Sequence, residues 1–270
     1  MPIAAPSFLY GTAWKEDDTE RCVVDALAAG FRGIDTANQR KHYFEEGVGR
    51  GIAQSGIARD RLFLQTKFTF LDGQDARLPF DPRAPIATQV AQSFASSLAH
   101  LRVTYIDSLV LHGPSQHSGL GPDDHAAWRA MEELVDAGQV GVLGASNMRP
   151  QQIHDLVAFA RIEPAFIQNR CYAKYGWDRA SREVCKQHGI TYQAFSLLTA
   201  NRQVLAPDKG VIAIAKRHGR TPAQIIFRFA QQLGMLPLTG STDPEHMRQD
   251  LAIEDVTLSP DELAAIEHAG

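Results

Sequence analysis

The sequence predicts an α/β protein of one domain, a parallel (β/α)8 (TIM) barrel that spans residues 1–270. Short apolar or β-branched runs alternate with longer segments of helical periodicity, and this alternation occurs eight times along the chain. No shift in composition and no Gly/Ser-rich linker marks a domain boundary. An open, doubly wound sheet is the alternative, because it is built from the same alternation.

Each predicted element has its own local signals. The predicted strands are 8–12, 33–37, 62–67, 108–112, 140–147, 165–170, 191–198 and 235–239. The predicted helices are 18–29, 45–54, 86–101, 124–137, 150–159, 179–188, 209–218 and 221–232, then two that begin at Asp243 and Ser259. Thr221 and Asp243 each precede a proline, as capping residues do, and Ser259 has capping-box spacing to Glu262. A long loop, 70–85, follows the third strand, and we expect a short C-terminus after the last helix.

Composition and charge exclude several classes of function. The chain is 44% hydrophobic with a net charge of −4, and no long basic run suggests binding to nucleic acid or to an anionic membrane. No signal peptide is evident, and no apolar segment approaches the roughly 20 residues that a membrane helix needs. The cysteines, Cys22, Cys171 and Cys185, are widely spaced, as in a reducing compartment. We therefore expect a cytoplasmic monomer whose partner is a small molecule.

Polar side chains stand at the ends of most predicted strands. They are Thr12, Trp14, Asp35, Lys67, His112, Ser146, Asn147, Gln168, Arg170, Ser196 and Thr239. Catalytic groups of such barrels gather at the carboxyl ends of the strands and in the loops that follow. A strand-end lysine is costly to bury without a partner, and Asp35 is the natural partner of Lys67. Taken alone, Asp35 is more typical of a carboxylate that caps a turn, and Tyr43 of a packed ring. The convergence of polar strand ends favours a site instead.

These groups suggest proton transfer to a carbonyl oxygen. A phenol has a pKa of about 10, and an ammonium group nearby favours the phenolate. We therefore expect Lys67, held by Asp35, to lower the pKa of Tyr43 towards neutrality, and His112 to orient the carbonyl. No nucleophile with a dedicated base and no metal-ligand spacing is apparent, so no metal site is predicted. The missing half of the reaction is a hydride, which implies a nicotinamide cofactor.

Motifs along nearly the whole chain resemble the aldo-keto reductase family. They are YGTAWK (10–15), GIDTA (33–37), EEGVG (45–49), LFLQTK (62–67), YIDSLVLHGP (105–114), WRAMEELVDAGQVGVLGASN (128–147), FIQN (166–169) and TPAQIIFRFAQQ (221–232). The resemblance implies a barrel that binds NADPH without a Rossmann domain and reversibly reduces an aldehyde or ketone to the alcohol. It implies four catalytic residues, Asp35, Tyr43, Lys67 and His112, with Trp14, Tyr43 and His112 facing the substrate.

The resemblance also implies a cofactor site. Its residues are Thr12, Asp35, Ser146, Asn147, Gln168, Phe195, Ser196, Leu198, Thr239, Gly240, Ser241 and His246. Ser146, Asn147 and Gln168 would hold the carboxamide, and the ring of Phe195 would stack on the nicotinamide. The family's Lys-Ser pair is replaced by Leu238-Thr239, so NADH is a possible cofactor beside NADPH. Backbone amides at the start of the helix after Asp243 could bind the phosphate.

Two departures from the family pattern leave alternatives open. The family's tyrosine stands five residues after its aspartate, where this chain has Arg40; Tyr43 is the expected proton donor and His42 its rival. Gly113 stands where many members have tryptophan, which predicts an open pocket. The displaced tyrosine also keeps a nucleotide-binding sensor or accessory protein with little turnover as the second function, and a barrel lyase or isomerase as the third. The glycine run 47–51 lacks the spacing of a dinucleotide fingerprint.

Overall fold

Within residues 5–269, which the computed structural model describes, eight parallel strands close into a barrel in sequence order. They are β1 (Leu9–Gly11), β2 (Gly33–Asp35), β3 (Phe63–Phe68), β4 (Ile106–Leu111), β5 (Val140–Ser146), β6 (Phe166–Arg170), β7 (Thr191–Phe195) and β8 (Leu236–Thr239). The barrel closes between β1 and β8, where Tyr10 lies opposite Thr239. This closure confirms the predicted (β/α)8 barrel and excludes the open sheet.

Helices surround the barrel. They are α1 (Thr19–Ala29), α2 (Glu45–Ser55), α3 (Ile86–Leu101), α4 (Pro122–Asp136), α5 (Pro150–Phe159), α6 (Arg179–Gln187), α7 (Arg202–Leu205), α8 (Lys209–His218), α9 (Pro222–Gln232), α10 (Pro244–Leu251) and α11 (Pro260–Glu267). The hydroxyls of Thr221 and Ser259 cap α9 and α11 as predicted. Helix α4 begins at Pro122, earlier than predicted, because the Asp124 carboxylate accepts the Gly121 amide proton and is the third helical residue instead of the cap.

The barrel interior changes from apolar to polar along its axis. At the amino ends of the strands, apolar side chains form one cluster: Leu9, Phe63, Phe166, Leu236 and Leu238. Above it, Asp35, Gln65, Lys67, Gln168 and Gln193 are buried and joined by hydrogen bonds. A larger apolar core fills the space between strands and helices. The polar and charged side chains of the barrel interior therefore lie towards the carboxyl ends of its strands.

Three further sequence expectations concern the cysteines, membrane-spanning helices and the loop 70–85. Cys22, Cys171 and Cys185 are buried free thiols. In the described part of the chain, none of the helices has the length and apolarity to cross a bilayer. The long loop 70–85 is confirmed as the connection between β3 and α3, and it contains a single 3-10 turn, Leu71–Gly73.

The glycines of α2 bring this helix close to its two neighbours. A Cβ atom on Gly49 would lie 2.1 Å from the His100 carbonyl oxygen in α3, and one on Gly51 would lie 2.8 Å from the Glu20 carbonyl oxygen in α1. Real Cβ atoms do not approach backbone oxygens so closely, because the helices would have to separate. The glycine run 47–51 therefore serves helix packing.

We expect Gly49→Ala to lower the free energy of unfolding by about 1–3 kcal/mol, the usual cost of overpacking. The loss should appear although alanine is the better helix former. Urea denaturation checks this. Gly210→Ala in α8 is the control, because its Cβ would meet only the end of the Asp208 side chain, at 3.1 Å. Equal stability of the two variants would contradict close packing at Gly49.

Candidate active site

Asp35 and Lys67 form a buried ion pair at the carboxyl ends of β2 and β3. The Lys67 Nζ atom donates to both carboxylate oxygens of Asp35 and to the Thr36 carbonyl oxygen, each at 2.7 Å. All three protons of the ammonium group are thereby used. The pairing predicted from the sequence is present, and it offsets the cost of burying both charges.

Tyr43 lies beside this pair and beside His112. The Lys67 Nζ atom is 5.2 Å from the centre of the Tyr43 ring, and the rings of Tyr43 and His112 meet edge to face with centres 5.8 Å apart. The His42 ring packs against Trp14, with ring centres 3.8 Å apart and the rings tilted by 36°. Of the two residues proposed from the sequence as proton donor, Tyr43 is thus the one grouped with Lys67 and His112.

The loop 38–42 is held in place by contacts with distant segments. The side-chain amide of Asn38 donates to the Ser93 carbonyl oxygen at 2.9 Å, and that of Gln39 donates to the Gly73 carbonyl oxygen at 2.6 Å. The Tyr43 amide then donates to the Gln39 carbonyl oxygen at 3.0 Å. These bonds determine where the loop delivers the Tyr43 ring.

The expectation that Lys67 lowers the pKa of Tyr43 towards neutrality is wrong. Burial raises the pKa of the Tyr43 phenol well above its usual value, the Asp35 carboxylate raises it further, and Arg170 lowers it by less. The Lys67 ammonium group donates its three protons to Asp35 and Thr36, so the Asp35 carboxylate offsets part of its effect on the resting phenol. The phenol therefore stays protonated at neutral pH, which suits a proton donor.

His112, which follows β4, is kept neutral by its surroundings. Burial lowers the pKa of His112 to about 3, and the nearby charges of Lys67 and His42 add to this effect. Its Nδ1 atom lies 2.7 Å from the Thr69 hydroxyl, and its carbonyl oxygen accepts from the Asn147 side-chain amide at 2.7 Å. If the Thr69 hydroxyl donates to Nδ1, the Nε2–H is free to donate to a ligand oxygen.

The low pKa of His112 should make stability fall as the pH falls. An unfolded histidine titrates near 6.5 and the folded His112 near 3, so between these values the unfolded state binds more protons. From pH 7.5 to about 5.5 this coupling removes about 1.4 kcal/mol of unfolding free energy. Urea denaturation of the wild type and His112→Gln at both pH values should show that extra loss in the wild type alone. An equal loss in both proteins would contradict a depressed pKa at His112.

The residues predicted to hold the carboxamide meet at the ends of β5 and β6. The Ser146 hydroxyl donates to the Gln168 carbonyl oxygen at 2.6 Å, and the Asn147 side-chain amide lies 3.2 Å from the Ser146 hydroxyl. Asn147 and Ser196 have positive φ angles of 57° and 58°, a conformation that is uncommon for non-glycine residues. Phe195, at the end of β7, is partly buried with Arg170 5.4 Å from its ring centre.

The residues predicted near the phosphate form a separate group at the end of β8. The Thr239 hydroxyl donates to Asp250 at 2.7 Å, the Gly240 carbonyl oxygen accepts from Lys15 at 2.6 Å, and the Ser241 carbonyl oxygen accepts from Tyr10 at 2.8 Å. At the start of α10, where the sequence predicted amides that could bind the phosphate, the Asp243 carboxylate accepts from the backbone amides of Glu245 and His246. His246 itself is exposed. Of the remaining predicted residues, Thr12 is buried and donates to the Asp35 carbonyl oxygen, and Leu198 precedes a 3-10 turn.

A cavity of about 460 Å³ opens beside His112. Two segments, 69–73 and 112–115, line it together with five further residues: Gln39, Ile86, Gln89, Asp123 and Asn147. A Cβ on Gly113 would come no nearer than 3.7 Å to another atom, so this position leaves the cavity open as expected. Trp14, predicted to face the substrate, is 67% exposed, and neither it nor Tyr43 lines this cavity.

Comparison with known proteins adds an independent result to this geometry. The sequence model described as the aldo/keto reductase family matches residues 8–270. The chain belongs to this family. An aldo-keto reductase of Mycobacterium sp. (strain JLS) is 33% identical over 251 residues, which cover 93% of this chain and 83% of the relative. The glyoxal reductase of Bacillus subtilis (strain 168) is 29% identical over 269 residues, 98% of this chain and 89% of that enzyme.

The fold of this aldo/keto reductase matches solved relatives as well. The crystal structure of a Bombyx mori aldo-keto reductase in complex with NADP superposes with a TM-score of 0.81 at 25% identity, and the match covers 98% of this chain and 89% of that one. The barrel and the membership of an oxidoreductase family are thereby established together.

Four residues around the site of this aldo/keto reductase were not predicted from the sequence. Gln65 and Gln193 lie inside the barrel, Thr69 contacts His112, and Lys15 contacts Gly240. Gln65 precedes Lys67 by two residues, and Gln193 precedes Phe195 by two, so strand periodicity directs each glutamine to the same face as its neighbour in the site. That periodicity was the signal that could have identified them.

Proposed function

We propose that this protein reduces an aldehyde or ketone to the alcohol, reversibly, with NADPH as the hydride source and Tyr43 as the proton donor. The observation that carries the proposal is the grouping of Tyr43 with the Asp35–Lys67 pair and with His112, which lines a cavity. A relative named glyoxal reductase and an NADP complex of another member of the family support it.

In this proposal each residue of the site has a separate role in the reduction. NADPH supplies the hydride when bound, with Ser146, Asn147 and Gln168 holding its carboxamide. The Tyr43 phenol donates its proton to the carbonyl oxygen, and neutral His112 orients that oxygen through a hydrogen bond. Lys67, fixed by Asp35, stabilises negative charge on the phenol oxygen as the proton leaves.

Two features suit a nicotinamide at this place. The Gln168 Oε1 acceptor has no hydrogen-bond partner within residues 5–269, whereas both protons of its amide nitrogen are used. The Phe195 ring is partly exposed at the end of β7, on the same rim. Towards the phosphate the fit is weaker, because Asp243 caps α10 and Arg248 is paired with Glu245.

Loss of NADPH absorbance on mixing the protein with a neutral aromatic aldehyde tests the proposal. We expect turnover with NADPH, and a parallel assay with NADH measures how far the replacement of the family's Lys-Ser pair by Leu238-Thr239 relaxes the preference for NADPH. Binding of NADPH without consumption across a broad panel of carbonyls would contradict a reductase and favour a nucleotide-binding protein.

A further inference from the structure

Glutamine side chains form a buried layer in the barrel, directly beneath the site. Gln65 and Gln193 have no exposed surface, and Gln168 is 3% exposed. The interior of such barrels is usually filled with branched apolar side chains, and a buried amide costs free energy unless each of its polar atoms is paired. Apolar side chains of similar length would fill the same space, so packing does not explain amides here.

Gln65 has every hydrogen-bonding position filled. Its Nε2 atom donates to the Asp35 Oδ1 atom at 2.6 Å and to the Gln193 Oε1 atom at 2.8 Å. Its Oε1 atom accepts from the Ser108 hydroxyl at 2.9 Å and from the Gln193 Nε2 atom at 3.0 Å. An ionised carboxylate only accepts, so Asp35 fixes which end of the Gln65 amide faces it.

Gln193 in turn helps to fix the orientation of the Gln168 side-chain amide. The Gln193 Oε1 atom accepts from the Gln168 Nε2 atom at 2.9 Å. The same Gln168 nitrogen donates to the Asp35 Oδ1 atom at 3.0 Å. Both protons of the Gln168 amide are therefore directed into the barrel, and its Oε1 atom is left for a ligand.

We propose that Gln65 and Gln193 are positioning residues of the reduction. Gln65 holds the Asp35 carboxylate in the orientation that receives Lys67, and Gln193 holds Gln168 with its acceptor presented to the carboxamide of the cofactor. This inference rests on the proposed function. It joins the proton-donating side of the site to the cofactor side through a continuous chain of hydrogen bonds, which low local dielectric strengthens.

Methionine variants test the two roles separately, because methionine keeps the length of glutamine and removes the amide. Gln65→Met should lower kcat about 10- to 100-fold, the effect of losing a hydrogen bond to a charged group, while the NADPH Kd changes less than about threefold. Gln193→Met should raise the NADPH Kd about fivefold or more, since Gln168 then loses one of the two hydrogen bonds that orient its amide. Quenching of protein fluorescence by NADPH measures Kd, and aldehyde turnover measures kcat.

Gln232→Met is the matched control. Gln232 at the end of α9 makes two side-chain hydrogen bonds, both to the Leu258 backbone, and it lies near the amino end of β8, away from the site. Both kcat and Kd of this variant should stay within about twofold of wild type. If Gln232→Met loses as much stability as the other two variants but keeps its activity, their effects on kcat and Kd are not caused by unfolding. Ser108→Ala removes a single bond to Gln65 and should lower kcat in the same direction but by less.

The outcomes distinguish the positioning roles of Gln65 and Gln193 from the proposed function. A kcat of Gln65→Met and a Kd of Gln193→Met that both stay within about twofold of wild type overturn the positioning roles. Losses in proportion to the unfolded fraction, as in the control, overturn them as well. Wild-type protein that binds NADPH but reduces no carbonyl contradicts the proposed function, and in that case an unchanged NADPH Kd in Gln193→Met still overturns the role of Gln193.

Discussion

Replacing Tyr43 by phenylalanine should lower kcat for aldehyde reduction by about 10²- to 10⁴-fold, the usual contribution of a general acid. The phenol keeps its proton at neutral pH because burial and Asp35 raise its pKa. Its ring lies close to both Lys67 and His112. NADPH binding should stay unchanged, since the ring itself is retained. Steady-state kinetics and a Kd for NADPH measure the two effects.

His42→Ala is the control for this variant. His42 packs against Trp14 instead of being grouped with the ion pair, so its loss should change kcat by less than about threefold, as expected of a residue outside the chemistry. The reverse pattern, an active Tyr43→Phe and an inactive His42→Ala, would make His42 the proton donor and would show that the loop 38–42 rearranges when ligands bind.

Lys67→Met and Asp35→Asn should each lower the free energy of unfolding by about 3–5 kcal/mol and abolish turnover. Each change leaves the other charge buried without its partner, because the side chains of Lys67 and Asp35 are 0% and 4% exposed. Urea denaturation measures the loss of stability. Activity should be lost as well, since the phenol oxygen then has no fixed cation beside it.

The double variant separates stability from chemistry. Asp35→Asn with Lys67→Met has no unpaired charge, so most of the lost stability should return, as happens when both members of a buried pair are neutralised. Its turnover should remain absent. A double variant as unstable as the sum of the single ones would show that the charges contribute independently, and a double variant that recovers turnover would remove the pair from the mechanism.

The fold followed closely from the sequence because its signals are local. The β-branched runs and the helix starts at Thr221-Pro222 and Ser259 depend on neighbouring residues, and the structure has these elements where they were predicted. The strand-end rule then grouped Asp35, Lys67 and His112 correctly. Helix α4 departed from the prediction because Asp124 bonds to Gly121 from inside the helix, and a carboxylate at either position gives the same sequence pattern.

The parts of the site that were not predictable depend on distant contacts. The path of the loop 38–42 is fixed by Ser93 and Gly73, which lie far along the chain. The sign of the pKa shift of Tyr43 was mistaken because it is set mainly by burial of the phenol, which depends on segments distant in the chain and is not revealed by residue spacing. Gln65 was overlooked because a polar residue within an apolar run is usually assigned to solvent.

Transfer of deuterium from NADPH labelled at the nicotinamide C4 position to an aromatic aldehyde tests the central claim most directly. Mass spectrometry of the alcohol should find one deuterium on the former carbonyl carbon when the label occupies the transferred position, and none when it occupies the other. The Tyr43→Phe variant should form this product far more slowly. Alcohol without deuterium from either labelled cofactor, or no alcohol from the wild type, would contradict reduction by direct hydride transfer.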